Sequence, residues 1–168
     1  MPSPTPAADD VVAALAARFG GVASDYHGQT RVVVSEPQSY EAMAFLKEQG
    51  FDLLVDVTCV DYLDYPGAKH RYGLVYLLAA TATNRRLTIR VFVDDPEPTV
   101  RSVVPLWQGA NWLEREVWDL FGIRFAGHPD LRRLVMPEEF TAHPLRKDYP
   151  LQGRGERHNF PVITRDRS

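Results

Sequence analysis

Residues 51–93, FDLLVDVTCVDYLDYPGAKHRYGLVYLLAATATNRRLTIRVFV, hold the strongest strand pattern in the chain. Three strand-length runs stand out in them. Phe51 to Val60 is nearly continuous apolar, broken by Asp52 and Asp56. Tyr72 to Ala80 is rich in Val, Leu and Tyr, and Arg86 to Val93 alternates, with Leu87, Ile89 and Val91 in step and Phe92 out of step. Runs of this length, rich in β-branched and aromatic residues and bounded by turn residues, read as strands. Asp61 to His70, with Pro66-Gly67, supplies a hairpin loop. Asn84 marks the next turn, and Asp94-Asp95-Pro96 closes the sheet region.

The residues before this block predict two helices and a hairpin. Met1 to Pro6 alternates proline with small residues and reads as part of a flexible leader over 1–9. Asp9 or Asp10 is placed to cap a helix running to Phe19, with Val12, Leu15, Ala16 and Phe19 on one face and Gly20-Gly21 as its stop. Val22 to Tyr26 and Thr30 to Ser35 flank His27-Gly28-Gln29 as a hairpin. Pro37 opens a second helix that Gly50 ends. The order α-β-β-α-β-β-β predicts an α+β fold. It is a two-layer sandwich with a mixed sheet of about five strands, followed by a C-terminal helix and an extended arm.

Beyond the sheet, a helix is expected from near Thr99, carrying Val100, Val103, Val104 and Trp107 and kinked at Pro105. Asn111 is placed to cap a second helical piece, with Glu114 at the capping-box position and Leu113, Val117, Leu120 and Phe121 on one face. Gly122 ends it. From residue 127 the chain is punctuated by Gly and Pro and lacks periodicity. The expected organisation is a leader over 1–9, a compact domain over 10–126 and an extended arm over 127–168.

Composition narrows the function. The 168 residues suit one domain, or one domain with a tail. With 45% hydrophobic and 24% charged residues there is material for a core. The charge is uneven: residues 1–126 hold 11 basic and 16 acidic side chains, residues 127–168 hold 8 and 6. The lone Cys59 excludes an internal disulfide, a self-contained thiolate-ligated iron–sulfur cluster and an all-cysteine zinc site. A pI near 5.9 argues against a dedicated nucleic-acid binder. No apolar run approaches the roughly 20 residues of a membrane span, and the start lacks the basic residues of a secretory signal, so the expected location is cytoplasmic.

Chemistry concentrates in three places. In Glu114-Arg115-Glu116-Val117-Trp118-Asp119-Leu120-Phe121-Gly122, three acids and an arginine share about two helical turns. Glu114, Arg115 and Asp119 are expected off the apolar face, with Arg115 and Asp119 as an i,i+4 pair. Helix geometry alone makes this a solvated face; the functional alternative is an acidic helix that receives an arginine from the arm or from a partner. The other two places, His128-Pro129-Asp130-Leu131-Arg132-Arg133 and His143-Pro144-Leu145-Arg146-Lys147-Asp148-Tyr149-Pro150, each begin His-Pro and then present a basic pair. Proline holds them extended, and arginine forks suit carboxylates. These segments can dock on an acidic partner or fold back on the chain's own acidic body. His128, His143 and His158 with Glu138 and Glu139 offer a metal-dependent enzyme as a competing reading, though no histidine pair has helical spacing. Gly153-Arg154-Gly155 is no dinucleotide fingerprint, since no strand precedes it and no third glycine follows. There is no phosphate loop and no nucleophile elbow.

One resemblance is specific. Glu114-Arg115-Glu116-x-x-Asp119-Leu120-Phe121, then six residues, then His128-x-x-x-Arg132-x-Leu134-Val135 resembles the signature of the 30-kDa subunit family of respiratory complex I, whose bacterial members are the C-type subunits of NADH:quinone oxidoreductases. His143 to Leu151 resembles the family's second shared stretch, and a looser likeness extends over residues 10–153. Met136-Pro137-Glu138-Glu139 departs from the family's usual link. The end of the chain eighteen residues after Pro150 suits the short, unfused form.

The resemblance implies a non-catalytic subunit of the peripheral arm. It would support the quinone-reducing module as electrons pass from NADH to quinone with proton translocation. It implies a hetero-oligomer, packing on the 49-kDa subunit (the D-type subunit of bacteria) and neighbouring hydrophilic-arm subunits. Membrane association would come through the complex, on the cytoplasmic side of the inner membrane. Flavin, iron–sulfur clusters and quinone would sit in the partners, with no cofactor, metal or catalytic residue in this chain. Glu114, Arg115, Glu116 and Asp119 would organise the helix. Arg132, Arg133, Arg146, Lys147 and Asp148 would hold the arm on the partner, with His128, His143 and Tyr149 in the same signature set.

Overall fold

In the computed structural model, which describes residues 8–155, the chain runs α1 (Ala8–Phe19), β1 (Val22–Tyr26), β2 (Gln29–Val34), a short 3-10 turn (Glu36–Gln38), α2 (Ser39–Glu48), β3 (Leu53–Asp61), β4 (Tyr72–Ala80), β5 (Arg85–Val93), β6 (Thr99–Arg101), α3 (Ala110–Phe121) and β7 (Arg124–Ala126). Residues 1–7 of the expected leader, and residues 156–168 of the arm with His158, lie outside the described residues. α1 already begins at Ala8, so Asp9 and Asp10 fall in its first turn instead of preceding it.

Five strands form one mixed sheet in the order β1-β2-β5-β4-β3. β1 with β2, β5 with β4 and β4 with β3 are antiparallel, while β2 and β5 run parallel. The β1–β2 hairpin turns on His27 and Gly28, both at positive φ (52° and 75°). Two left-handed residues match the twist of flanking strands, a conformation that histidine tolerates better than most residues and that glycine adopts freely.

The period-2 pattern sorts the sheet into two faces. Val32, Leu74, Tyr76, Leu78, Ile89 and Val91 point inward and are buried against Val11 and Leu15 of α1 and Ala42, Met43 and Leu46 of α2. Each fully buried aliphatic side chain of this kind stabilises the fold by about 2 kcal/mol. Cys59 belongs to the same core; burial pushes its thiol up to about 12, so it stays protonated and inert.

The region after β5 differs from the expected helix. Thr99-Val100-Arg101 is β6, which pairs in parallel with β7, a strand the sequence reading missed. Val103 to Trp107 forms a turn, with Leu106 and Trp107 N–H groups bonded to the Val103 carbonyl. Two β-branched residues and Pro105 work against a helix here, and the parallel partner supplies the ladder that three isolated residues lack. α3 then crosses back between the two short strands. It starts at Ala110 with Gly109 as its cap and no side-chain cap bond, so Asn111 is inside the helix and the capping box does not form. Gly122 closes it in the left-handed conformation at φ 79°.

Candidate functional site: a latch between helix and arm

α3 is covered on two sides, and this reverses the expected solvated face. Ala110, Glu114, Val117 and Phe121, at i, i+4, i+7 and i+11, form the stripe that meets the core. Arg115 and Asp119 lie beside that stripe and are buried under the arm. Glu116 is exposed.

Asp119 is the centre of the latch. Its Oδ2 accepts three successive backbone N–H groups, from Leu134 (3.0 Å), Val135 (2.7 Å) and Met136 (2.8 Å). Its Oδ1 accepts Arg133 Nη1 at 2.5 Å. Consecutive N–H groups converging on one oxygen make an anion nest. Burial alone would raise this carboxyl. The Met136, Leu134 and Val135 amides and the Arg133 guanidinium outweigh it and hold Asp119 below the usual carboxylate range. The expected Arg115–Asp119 pair is absent, because the arm has filled the acceptor positions of Asp119. Arg115 instead donates to the carbonyls of Arg132 and Arg133, each at 3.1 Å. The basic residue of the helix thus grips the arm's backbone, while the basic residue of the arm grips the helix's acid.

The last carbonyls of α3 are capped from the same arm. Leu145 N–H donates to Leu120 O at 3.0 Å, and His143 Nδ1–H donates to Asp119 O at 2.9 Å. Burial, helped by Arg133 and Arg146 nearby, lowers the His143 pKa, so the ring is neutral at pH 7. The imidazole lies against Gly122: a Cβ there would meet His143 Cδ2 at 2.7 Å. Glycine is therefore required twice at this position, for its φ and for the ring seated on it.

Glu114 occupies a separate pocket on the core side. Oε1 accepts the Val103 N–H and Oε2 the Ser102 hydroxyl, each at 2.7 Å. His128 Nε2 stands 4.0 Å from Oε2, with both side chains closed to solvent. The Asp130 N–H donates to His128 Nδ1 at 3.0 Å, which puts the ring hydrogen on Nε2, and Nε2 donates to the Asn111 carbonyl at 3.2 Å. Burial, opposed by the Ser102 and Val103 bonds, pushes the Glu114 carboxyl up to about 7.

The far end of the arm fastens to the β3–β4 hairpin. Asp61, fully buried at the end of β3, accepts Lys147 N–H at 2.8 Å, Leu63 N–H at 3.0 Å and the Arg71 guanidinium at 3.5 Å. Arg71 also pairs with Asp95 and, at 2.7 Å, with Asp148. Arg146 bridges Asp95 and Asp148, each at 3.3 Å. Phe140 and Tyr149 pack with ring centroids 5.8 Å apart. Arg132 pairs locally with Asp130 at 2.9 Å and is exposed, as is Lys147.

The structure thus brings Arg115, Asp119, Arg133 and His143 together at the latch, Glu114 and His128 in the separate core-side pocket, and Arg146 and Asp148 at a second fastening. Arg71, Asp61, Asp95, Ser102 and Gly122 complete these clusters; from the sequence Asp61 and Asp95 read only as strand-end and turn residues and Gly122 as the helix stop, while Arg71 and Ser102 carried no reading. For Asp61 and Arg71 a signal existed: the hairpin register pairs Asp61 with Tyr72, which sets Arg71 beside it. For Ser102 there was none. Among the described residues, no three His, Cys, Asp or Glu side chains converge as a metal site. No described helix is long and apolar enough to cross a membrane.

Known proteins resemble this chain in sequence and in fold. The family model for the respiratory-chain NADH dehydrogenase 30 kDa subunit matches residues 32–155. The chain is 45% identical over 130 residues to NADH-quinone oxidoreductase subunit 5 of Thermus thermophilus, covering 74% of this chain and 63% of that one. It is 47% identical over 129 residues to the C-type subunit of the NADH-quinone oxidoreductase of Trichlorobacter lovleyi, covering 76% and 78%. The chain therefore spans somewhat less than two thirds of the Thermus relative's length. Among solved structures, a trypsin-resistant fragment of Nqo5 superposes with a TM-score of 0.69 at 38% identity, over 73% of this chain and 98% of the fragment. A chain of an archaeal membrane-bound sulfane sulfur reductase shares the fold, with a TM-score of 0.75 at 18% identity over 95% of each. By the matched residues and these relatives, the chain belongs to the respiratory-chain NADH dehydrogenase 30 kDa subunit family.

Proposed function

We propose that this chain is a non-catalytic subunit of an NADH:quinone oxidoreductase. It shapes and stabilises the quinone-reducing module, and its neighbours carry flavin, iron–sulfur clusters and quinone. It is a hetero-oligomeric part, seated on the 49-kDa subunit and adjoining hydrophilic-arm subunits, on the cytoplasmic side of the membrane.

One observation carries the reading. The signature residues Glu114, Arg115, Asp119, Arg133 and His143 are spent on bonds within the chain. Catalytic groups converge on a space where a substrate fits; these converge on a backbone segment and fix its path. That is the chemistry of a preformed surface. A preformed surface lowers the ordering cost of assembly. In this reading, exposed Arg132 and Lys147 face the partner, and Arg146 serves from within by holding its segment in shape.

The test is recovery from native membranes. An N-terminally tagged chain, gently solubilised, should bring flavin- and cluster-bearing subunits with NADH:quinone reductase activity. Recovery of the chain alone, monomeric and in the soluble fraction, overturns the proposal. Arg146→Ala should reduce the amount of assembled complex more than turnover per complex, and normal assembly with low turnover contradicts it.

A further inference from the structure

The helices cover one face of the five-stranded sheet, and among the described residues no helix or arm segment covers the other. Strand registers place Val75, Leu77 and Ala79 in a row along β4 on that face, with Val33 of β2 across Arg90 from Val75, all half-buried. They also place Arg31, Arg86 and Arg90 there, against one strand acid, Asp56. The chain as a whole carries a net charge of −3, so this face is basic on an acidic protein.

These three arginines differ from those of the latch. Among the described residues, no carboxylate lies within ion-pair distance of any of them. Two are held stiff by aromatic rings. Arg31 lies over Tyr26, 4.6 Å from the ring centroid, and Arg90 lies 5.2 Å from that of Phe92 while donating to the Tyr62 hydroxyl. The Arg90 Nε is buried without a hydrogen-bond partner. Stacked guanidiniums have little freedom left to lose, and fork geometry matches carboxylates. Apolar side chains interleaved with arginines that have no carboxylate partner have the composition of an interface centre.

We propose that the open sheet face is a docking surface for a protein partner that presents two or more carboxylates among apolar side chains. That the partner is a subunit of the same complex rests on the function proposed above. The surface itself rests on the sheet.

A photoreactive benzophenone residue placed at Thr88, in the middle of this face, in the full tagged chain and irradiated in native membranes, tests it. Glu41, exposed on the helix side, is the control position. Crosslinks from Thr88 should map to a partner segment carrying at least two Asp or Glu among apolar residues. Arg31→Glu with Arg86→Glu and Arg90→Glu should cut that crosslink about tenfold, and the three Arg→Gln changes should cut it less. Lysines at the mapped acids should restore part of it. Unchanged circular dichroism and Tm show that the variants fold. Crosslinks to a second copy of the chain, to nucleic acid, or to a partner indifferent to charge reversal overturn the proposal. Recovery of the oxidoreductase subunits with no Thr88 crosslink overturns this surface and leaves the assembly reading standing. An acidic-segment crosslink without those subunits does the opposite.

Discussion

The Arg133 guanidinium meets the Asp119 carboxylate at 2.5 Å in a site almost closed to solvent, although fourteen residues and a glycine-capped helix end separate them. Breaking such a buried pair leaves an uncompensated charge, which costs about 3–5 kcal/mol. Asp119→Ala also strands the N–H groups of Leu134, Val135 and Met136. We expect a loss at the upper end of that range by denaturant unfolding, and Asp119→Asn to fall between the parent and the alanine variant. A loss below about 1 kcal/mol would mean that the pair behaves as a surface one.

The same residue sets the acid limb of stability. Its folded-state pKa is depressed, so the stability it contributes is complete above the unfolded value of 3.8 and disappears as pH falls through the folded value. Unfolding curves at pH 2 to 5 should show a steeper acid loss in the parent than in Asp119→Asn. Parallel pH profiles would contradict this.

Glu114 works in the opposite sense. Its folded pKa is raised to about 7 from 4.5. Its favourable state is the protonated one, present in full below pH 4.5 and lost as pH rises through 7. The parent should lose about 3 kcal/mol across that window relative to Glu114→Gln, which keeps an acceptor for Val103. Tm measured from pH 4.5 to 8.5 reads the difference directly. A flat difference between the two proteins would show that the carboxylate is stabilised by something other than Ser102 and Val103.

Much of this was legible in the sequence, and the failures have physical causes. The five-stranded mixed sheet followed from apolar runs and turn residues, because period-2 burial writes itself into residue order. β6 and β7 were not legible: each has three residues, and their ladder exists only because α3 returns the chain to the same place. Glu114 was misplaced because it is polar, yet its neighbours Ala110, Val117 and Phe121 mark the buried stripe and put the acid on it. Arg115 and Asp119 look like a helix pair at i,i+4. Only the arm's position shows that each prefers a partner from residues 132–136. That preference depends on a chain path that Met136-Pro137-Glu138-Glu139 does not announce.

Gly122→Ala probes the seat of His143. A left-handed φ of 79° costs a non-glycine residue about 1 kcal/mol, and the added methyl must displace an imidazole 2.7 Å away. The predicted loss is about 2 kcal/mol, with faster proteolysis within residues 143–149. The double variant Gly122→Ala, His143→Ala should recover part of the packing loss and none of the backbone cost. Strict additivity of the two single variants would show that the ring and the glycine do not touch in solution.

Arg71→Ala separates the two fastenings of the arm. Asp61, Asp95 and Asp148 all address this one guanidinium, so its removal leaves three carboxylates facing each other with Arg146 alone between them. Carboxylates left without their shared cation repel one another, and the segment that carries Asp148 is the one free to move. Hydrogen exchange should show lost protection at the Lys147 amide, which is bonded to Asp61. Protection should persist at Leu134, Val135 and Met136, which are bonded to Asp119. Loss at both sets together would show one cooperative latch in place of two, and would move the origin of the arm's order from local ion pairs to the fold as a whole.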